Sequence, residues 1–148
     1  MDAIGLAAAL CRRFEGFYSH PYLCPAGVPT IGYGATFYED GTRVTLKDAP
    51  IARERAEVLL RWQIQRRFLP AVMRQCPGAD SLPRVAALID FAFNLGEGNL
   101  AASTLRRKVN AREWDDAAAQ HLRWNKAGGR VLAGLTRRCR ARADMTES

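Results

Sequence analysis

The chain has 148 residues, the size of one ordinary domain, and with 48% hydrophobic and 25% charged residues it has the apolar material for a real core, which excludes a disordered or fibrous chain. Its 22 basic and 15 acidic side chains leave a net charge of +7, a surface that suits an anionic polymer such as nucleic acid, anionic lipid or cell wall, or that serves solubility alone. Cys11, Cys24, Cys76 and Cys139 form no CxxC pair, and His20 and His121 form no HxxxH. That spacing speaks against a zinc site and for free thiols.

Ala3 to Cys11 is a short apolar stretch. Asp2 is acidic, no basic segment precedes it, Leu10 is too large for a small-residue cleavage site, and a membrane span needs ~20 apolar residues. The stretch therefore reads as an amphipathic helix, with no signal peptide and no anchor. Ile4, Ala7, Ala8, Cys11 and Phe14 recur at helical spacing, which predicts a first helix over about Asp2 to Arg13, ended by Glu15 and Gly16.

Residues 17 to 45 change character. Strand formers such as Tyr18, Tyr22, Ile31, Tyr33 and Val44 alternate with Pro21, Pro25, Gly27, Gly32, Gly34 and Asp40-Gly41, which predicts a small antiparallel sheet with tight turns. Beyond it the chain reads as helical. Thr45 and Asp48 resemble a capping box ahead of a long helix over Ile51 to Phe68, which Pro70 kinks or breaks. Ser81 caps a helix carrying Val85, Leu88, Ile89, Ala92 and Phe93 on one face. Asn94 to Asn99 reads as a turn, Thr104 to Val109 and Glu113 to Leu122 as helices, Asn125 to Gly129 as a loop, and Arg130 to Ala143 as a basic final helix before a loose tail at Asp144 to Ser148. The expected architecture is α+β: a sheet subdomain at about 16–45 beside a helical remainder within one domain, 1–148, with a cleft between.

Glu15 stands at the end of the first helix between Phe14 and Phe17. A carboxyl desolvated among aromatics has its pKa raised and can give a proton to a glycosidic oxygen; a solvated helix-end glutamate is the plainer alternative. Nine residues later comes Cys24, and six after that Thr30, which opens Thr30-Ile31-Gly32-Tyr33-Gly34. With the Pro21-Tyr22 step, Phe93-Asn94-Leu95-Gly96-x-Gly98-Asn99, Ser103-Thr104-Leu105 and Gly134-Leu135-Thr136-Arg137-Arg138 in order along the chain, the sequence resembles the phage-type lysozymes, glycoside hydrolase family 24, of T-even and lambdoid phages.

That resemblance implies Glu15 as proton donor and Thr30 as the residue lining the water site. Cys24 falls where many members have aspartate. A thiol of ordinary pKa, near ~8.5, is a poor base. Cys24 then holds water as a thiol, acts as thiolate, attacks the sugar itself, or is only a small filler beside Pro25. Tyr33, Gly34 and Asn94 are the expected substrate-binding positions, although turn chemistry alone also accounts for the glycines. Arg137 and Arg138 are alternatives for an ion pair with Glu15, or are solvated. Trp62, Trp114 and Trp124 sit at helical positions that suit a core better than a sugar platform.

The resemblance further implies an endolysin that hydrolyses the β-1,4 links of peptidoglycan with no cofactor and no metal. It would act as a monomer and be held in the host cytoplasm until a holin releases it to the periplasm. A lytic transglycosylase or a chitinase-like hydrolase is the enzyme alternative. A basic nucleic-acid module is the remote one, because no aromatic-basic platform or motif supports it and no nucleic acid is expected as partner. The basic C-terminal helix, with Val131, Leu132, Leu135 and Cys139 as its apolar stripe, suits core packing or a weak contact with anionic membrane.

Overall fold

The computed structural model describes residues 2–148. Helix α1 spans Ala3–Glu15; the Asp2 carboxylate accepts the Gly5 N–H at 2.7 Å, and Gly16 closes the helix at φ +74° with its N–H on the Arg12 carbonyl. Its small residues Ala7, Ala8 and Cys11 are fully buried, so the helix packs closely into the centre of the molecule.

Strand β1 (Tyr18–Leu23) pairs antiparallel with β2 (Pro29–Gly32), with Tyr22 opposite Thr30 and an irregularity between Tyr18 and Tyr22. The connecting turn is closed by Cys24 N–H on Val28 O at 3.0 Å and Gly27 N–H on Cys24 O at 2.8 Å. The chain then doubles back through the isolated pairs Ile31 with Ala35 and Phe37 with Arg43, the latter around Asp40-Gly41 as the sequence predicts. Ile31, Ala35, Val44 and Leu59 form a small apolar cluster beneath this unit.

Thr45 N–H and hydroxyl both donate to the Asp48 carboxylate, while the Asp48 N–H bonds the Thr45 carbonyl, so the reciprocal side-chain bonds of a capping box are not made. Thr45 and Asp48 close a turn, and α2 begins only at Arg53 (Arg53–Gln63). Pro70 does not end the long helix. A π turn at Ile64–Phe68 widens it, with the Leu69 N–H reaching the Ile64 carbonyl, and α3 (Leu69–Gln75) continues. The wider turn relieves the clash that a proline ring makes with the carbonyl one turn earlier.

Helix α4 (Leu82–Leu95) is capped by Ser81 and is the buried axis of the fold, packed by α1 on one side and by the final helix, Ala133–Glu147, on another. The turn expected at Asn94 to Asn99 is mostly helix: α4 runs through Leu95 and α5 spans Glu97–Ala102. Helices α6 (Thr104–Asn110), capped by Ser103, and α7 (Trp114–His121) follow. The expected loop at 125–129 is part of a short hairpin, β3 (Lys126–Ala127) with β4 (Arg130–Val131), turning at Gly128-Gly129.

Helix α8 spans Ala133–Glu147, so the tail is ordered: Thr146 is buried and its carbonyl accepts from Arg84 Nε at 2.8 Å. The expected apolar stripe is corrected as well. Of its members Cys139 is buried as expected and Leu135 half-buried, but Val131 and Leu132 are exposed, and Arg138, Arg142 and Ala143 join Cys139 on the inward face of α8. No described helix is long and apolar enough to cross a membrane.

His121 is fully buried against Phe91, and neither ring nitrogen has a hydrogen-bond partner. Burial and the nearby Arg142 cation push its pKa down to about 3, against the pull of Asp90. The folded state therefore takes up this proton less readily than the unfolded chain, and the stability it contributes is present above pH 6.5 and lost as pH falls toward 3. We expect the urea midpoint of the protein to fall steadily from pH 6.5 to 4, and His121→Phe to flatten that decline. An unchanged pH slope in the variant would assign the acid sensitivity elsewhere.

Candidate active site

Asp90 lies mid-way along α4 in the run Ile89-Asp90-Phe91 and is fully buried. A carboxylate in such a place survives only if its charge and lone pairs are met. Arg138 meets it with two donors, Nε to Oδ2 at 2.9 Å and Nη2 to Oδ1 at 2.7 Å. Arg142 Nη1 adds a third bond at 2.8 Å and the Cys11 thiol a fourth at 3.3 Å. Burial pushes the Asp90 pKa up, but the two guanidinium groups outweigh it and hold the carboxyl below its ordinary range.

The third nitrogen of Arg138 is spent on Glu15: Nη1 lies 2.5 Å from Oε2. Of the two arginines open as partners in the sequence, Arg138 is the one that pairs, while Arg137 is exposed. The aromatic neighbours of Glu15 in sequence face cations. Phe14 has Arg13 over its ring at 4.7 Å, and Phe17 packs on Tyr33 beneath Arg53. The hydrogen-bond partner of the Glu15 carboxyl is a guanidinium, and its side chain keeps 22% exposure.

Gly34 closes the other side. Its φ of +81° disfavours any side chain, and a Cβ there would stand 2.8 Å from Glu15 Oε1. Tyr33, by contrast, is only 8% exposed and its ring belongs to the core. From the turn that follows β2 the ring packs inward against Phe17 at 5.7 Å. Asn94 is half-buried at the end of α4, with its Oδ1 accepting from Arg142 at 3.3 Å.

The β1–β2 turn brings Cys24 and Thr30 together. Thr30 is buried and its hydroxyl donates to Val28 O at 2.8 Å. The Cys24 thiol is drawn below its ordinary pKa, chiefly by the Val28 backbone N–H, then by Ala26 and the Thr30 hydroxyl, all of which favour the thiolate. The other three thiols go the opposite way: burial raises Cys11, Cys139 and Cys76, the last to about 11. Tyr22, paired with Thr30 across the sheet, lies in electrostatic reach of both Glu15 and Cys24; burial and these charges raise its hydroxyl pKa.

Sequence reasoning passed over Asp90, although one carboxylate inside an apolar helical run is itself a signal of a buried partner. Among the described residues no group of three His, Cys, Asp or Glu side chains is placed to hold a metal ion.

A small sheet beside a helical body, with a guanidinium-held glutamate at the end of the first helix, defines a lysozyme-class glycosidase fold. The chain belongs to the phage lysozyme family, whose model matches residues 12–142. It is 33% identical to an endolysin of Acyrthosiphon pisum secondary endosymbiont phage 1, over 94% of this chain and 93% of that one. It is 35% identical to the endolysin of Bacillus phage B103, over 87% of this chain but only 48%, about half, of that relative's length. Among solved structures, the endolysin of Escherichia coli phage FAHEc1 superposes with a TM-score of 0.86 at 27% identity, covering 99% of this chain and 93% of that one.

Because Asp90 stands between two buried arginines, Asp90→Asn leaves Arg142 without a counter-charge and Arg138 with Glu15 alone. We expect a loss of roughly 3–5 kcal/mol in urea unfolding at pH 7, the cost of breaking a buried ion pair from one side. A loss under about 1 kcal/mol, the range of surface pairs, would refute the central role of this carboxylate.

Proposed function

We propose that this protein hydrolyses the β-1,4 bond between N-acetylmuramic acid and N-acetylglucosamine in peptidoglycan, with Glu15 as proton donor. The observation that carries the reading is the fixing of one carboxyl between Arg138 and Gly34, with the Cys24–Thr30 pair on the adjoining sheet. The Glu15 proton goes to the glycosidic oxygen as the bond to the sugar breaks. The carboxylate left behind faces Arg138, so two carboxylates then stand against two guanidinium groups. Water attacks the anomeric carbon, oriented by the Thr30 hydroxyl and relieved of its proton by the Cys24 thiolate, where many relatives of this type would use a carboxylate.

Residues 1–148 act in this reading as one catalytic domain, supported by a single large apolar cluster that runs from α1 to α7. The protein would work as a monomer that lyses a phage's host, released to the periplasm through a holin. Exposed Arg130, Arg137 and Arg140 beside Val131 and Leu132 support a weak contact of that end with anionic membrane. Asn94 serves the substrate through the Arg142–Asp90 network that holds it.

Glu15→Gln keeps shape and removes the proton. We expect wall hydrolysis, read as new reducing ends, to fall by about 10²–10⁴-fold in a folded variant. Near-normal release would sink the assignment. New 1,6-anhydro ends in place of reducing ends would identify a transglycosylase.

Cys24→Asp should remain active while Cys24→Ala loses activity. With the native thiol, the rate should rise with pH through a value below the ordinary thiol range; in Cys24→Asp the rise should move down to the carboxylate range. Identical pH profiles for Cys24, Asp and Ala at this position would reduce Cys24 to a filler.

Gly34→Ala puts a methyl group on Glu15 Oε1. We expect activity to drop by about 10²-fold, the usual cost of a displacement near 1 Å, while far-ultraviolet circular dichroism stays unchanged. Full activity would show that Glu15 is not held from this side.

A further inference from the structure

Of the three tryptophans, Trp114 and Trp124 pack against the main apolar cluster, the former under Arg84 at 3.8 Å and the latter on Phe91 at 5.1 Å. Trp62 belongs to neither apolar cluster. It lines a pocket of about 360 Å³ between the Thr36–Gly41 turn and the α2–π helix, together with Phe37, Tyr38, Arg66 and Arg67. The core reading of Trp62 from helical spacing is thus corrected: the indole is half-buried and faces a pocket.

The walls of this pocket are held in place. Gln63 Nε2 donates to the Phe37 carbonyl at 3.4 Å, Tyr38 hydroxyl to Asp48 at 2.7 Å, and Arg67 is paired with Glu97 at 2.7 Å. Arg66 has no side-chain partner among the described residues and is exposed at the rim. A fixed aromatic face with polar donors around it matches a pyranose ring, which presents C–H bonds on its faces and hydroxyl and acetamido groups around its edge.

The pocket also joins the site. Thr36 is two residues beyond Gly34, a span of at most about 7 Å. On the helical side, Arg67 lies over Phe68, Phe68 packs on Phe93 at 5.3 Å, and Phe93 borders Gly34. A glycan strand with one bond at Glu15 can therefore continue along this path.

We propose that this pocket is a distal glycan subsite, in which Trp62 stacks on an N-acetylated sugar of the strand being cut and Arg66 donates to its polar edge. The proposal rests on the reading of Glu15 as the acid of a peptidoglycan hydrolase. The π turn contributes both arginines, so the widening forced ahead of Pro70 helps shape the subsite.

The test uses the full chain carrying Glu15→Gln, labelled with nitrogen-15, and peptide-free glycan strands of four to eight sugars. The three indole N–H signals are assigned from Trp62→Phe, Trp114→Phe and Trp124→Phe. We expect the Trp62 signal to shift saturably while the other two stay in place. In the otherwise unmutated enzyme, Trp62→Ala should raise KM on long strands about 10-fold, with kcat changed less than about 2-fold and no effect on strands too short to reach the pocket, as loss of binding alone would do. Strands that bind without moving the Trp62 signal would overturn the subsite. So would a Trp62 shift seen only with peptide-bearing fragments, or unchanged KM on long strands in folded Trp62→Ala. Release of reducing ends from purified wall by the unmutated protein is scored separately. If that fails, the hydrolase reading falls and the subsite with it; if it succeeds while Trp62 is silent, the subsite alone is wrong.

Discussion

One carboxylate, Asp90, is the constraint around which the helical body is assembled. It is fully buried and sits between two arginines of α8 and a cysteine of α1, so a single side chain ties three helices at one point. An ion buried this way costs several kcal/mol to desolvate, and only close, multiple bonds offset that cost. The geometry supplies them: two bonds from Arg138, one from Arg142, one from Cys11. The arrangement is stabilising only as a whole, which makes it better suited to fixing where α8 lies than to adding net stability.

That positioning is what matters at Glu15. Arg138 cannot turn toward the carboxyl freely, because its Nε and Nη2 are already held on Asp90 and its planar guanidinium then leaves Nη1 aimed at Glu15. The acid is thus set by a rigid fork anchored in the core, while Gly34 limits it from the sheet side. A lysine in place of Arg138 would have the charge but not the fork. Preorganisation of the site is inherited from packing rather than built by loops.

Much of this was legible before any coordinates. The periodicity of α1, the Ser81 and Ser103 caps and the turn-rich sheet follow from local chemistry, and those elements occur where the residues place them. The Glu15, Cys24 and Thr30 positions came from the resemblance to the phage-type lysozymes, since spacing alone favoured a solvated helix-end glutamate. What escaped was mostly long-range. Asp90 and Arg138 are 48 residues apart in sequence and 2.7 Å apart in space. An arginine-rich helix reads as a solvated face until its buried counter-charge is found. The turn expected at Asn94 to Asn99 failed because two glycines outweighed, on paper, the packing of Leu95 and Leu100 that draws this segment into helix. Trp62 was misread for the converse reason: helical spacing shows which face a side chain is on, but not whether anything covers that face.

The charge distribution also has to be read through the core. The net charge of +7 suggests a uniformly basic surface, yet Arg138 and Arg142 are 4% and 0% exposed and are spent on Asp90 and Glu15. Other arginines are held by carboxylates on the surface, such as Arg12 by Glu57 and Arg67 by Glu97. Among the described residues, cations without a carboxylate partner remain at the surface, including Lys47, Arg74, Arg123 and Lys126, Arg66 beside the Trp62 pocket, and Arg130, Arg137 and Arg140 around α8. Exposed charges of this kind act through a screened field that decays within about 10 Å at 0.1 M salt. They set how readily the protein meets an anionic wall, whereas the buried arginines set what it can do once there, and salt should act on the first and not on the second.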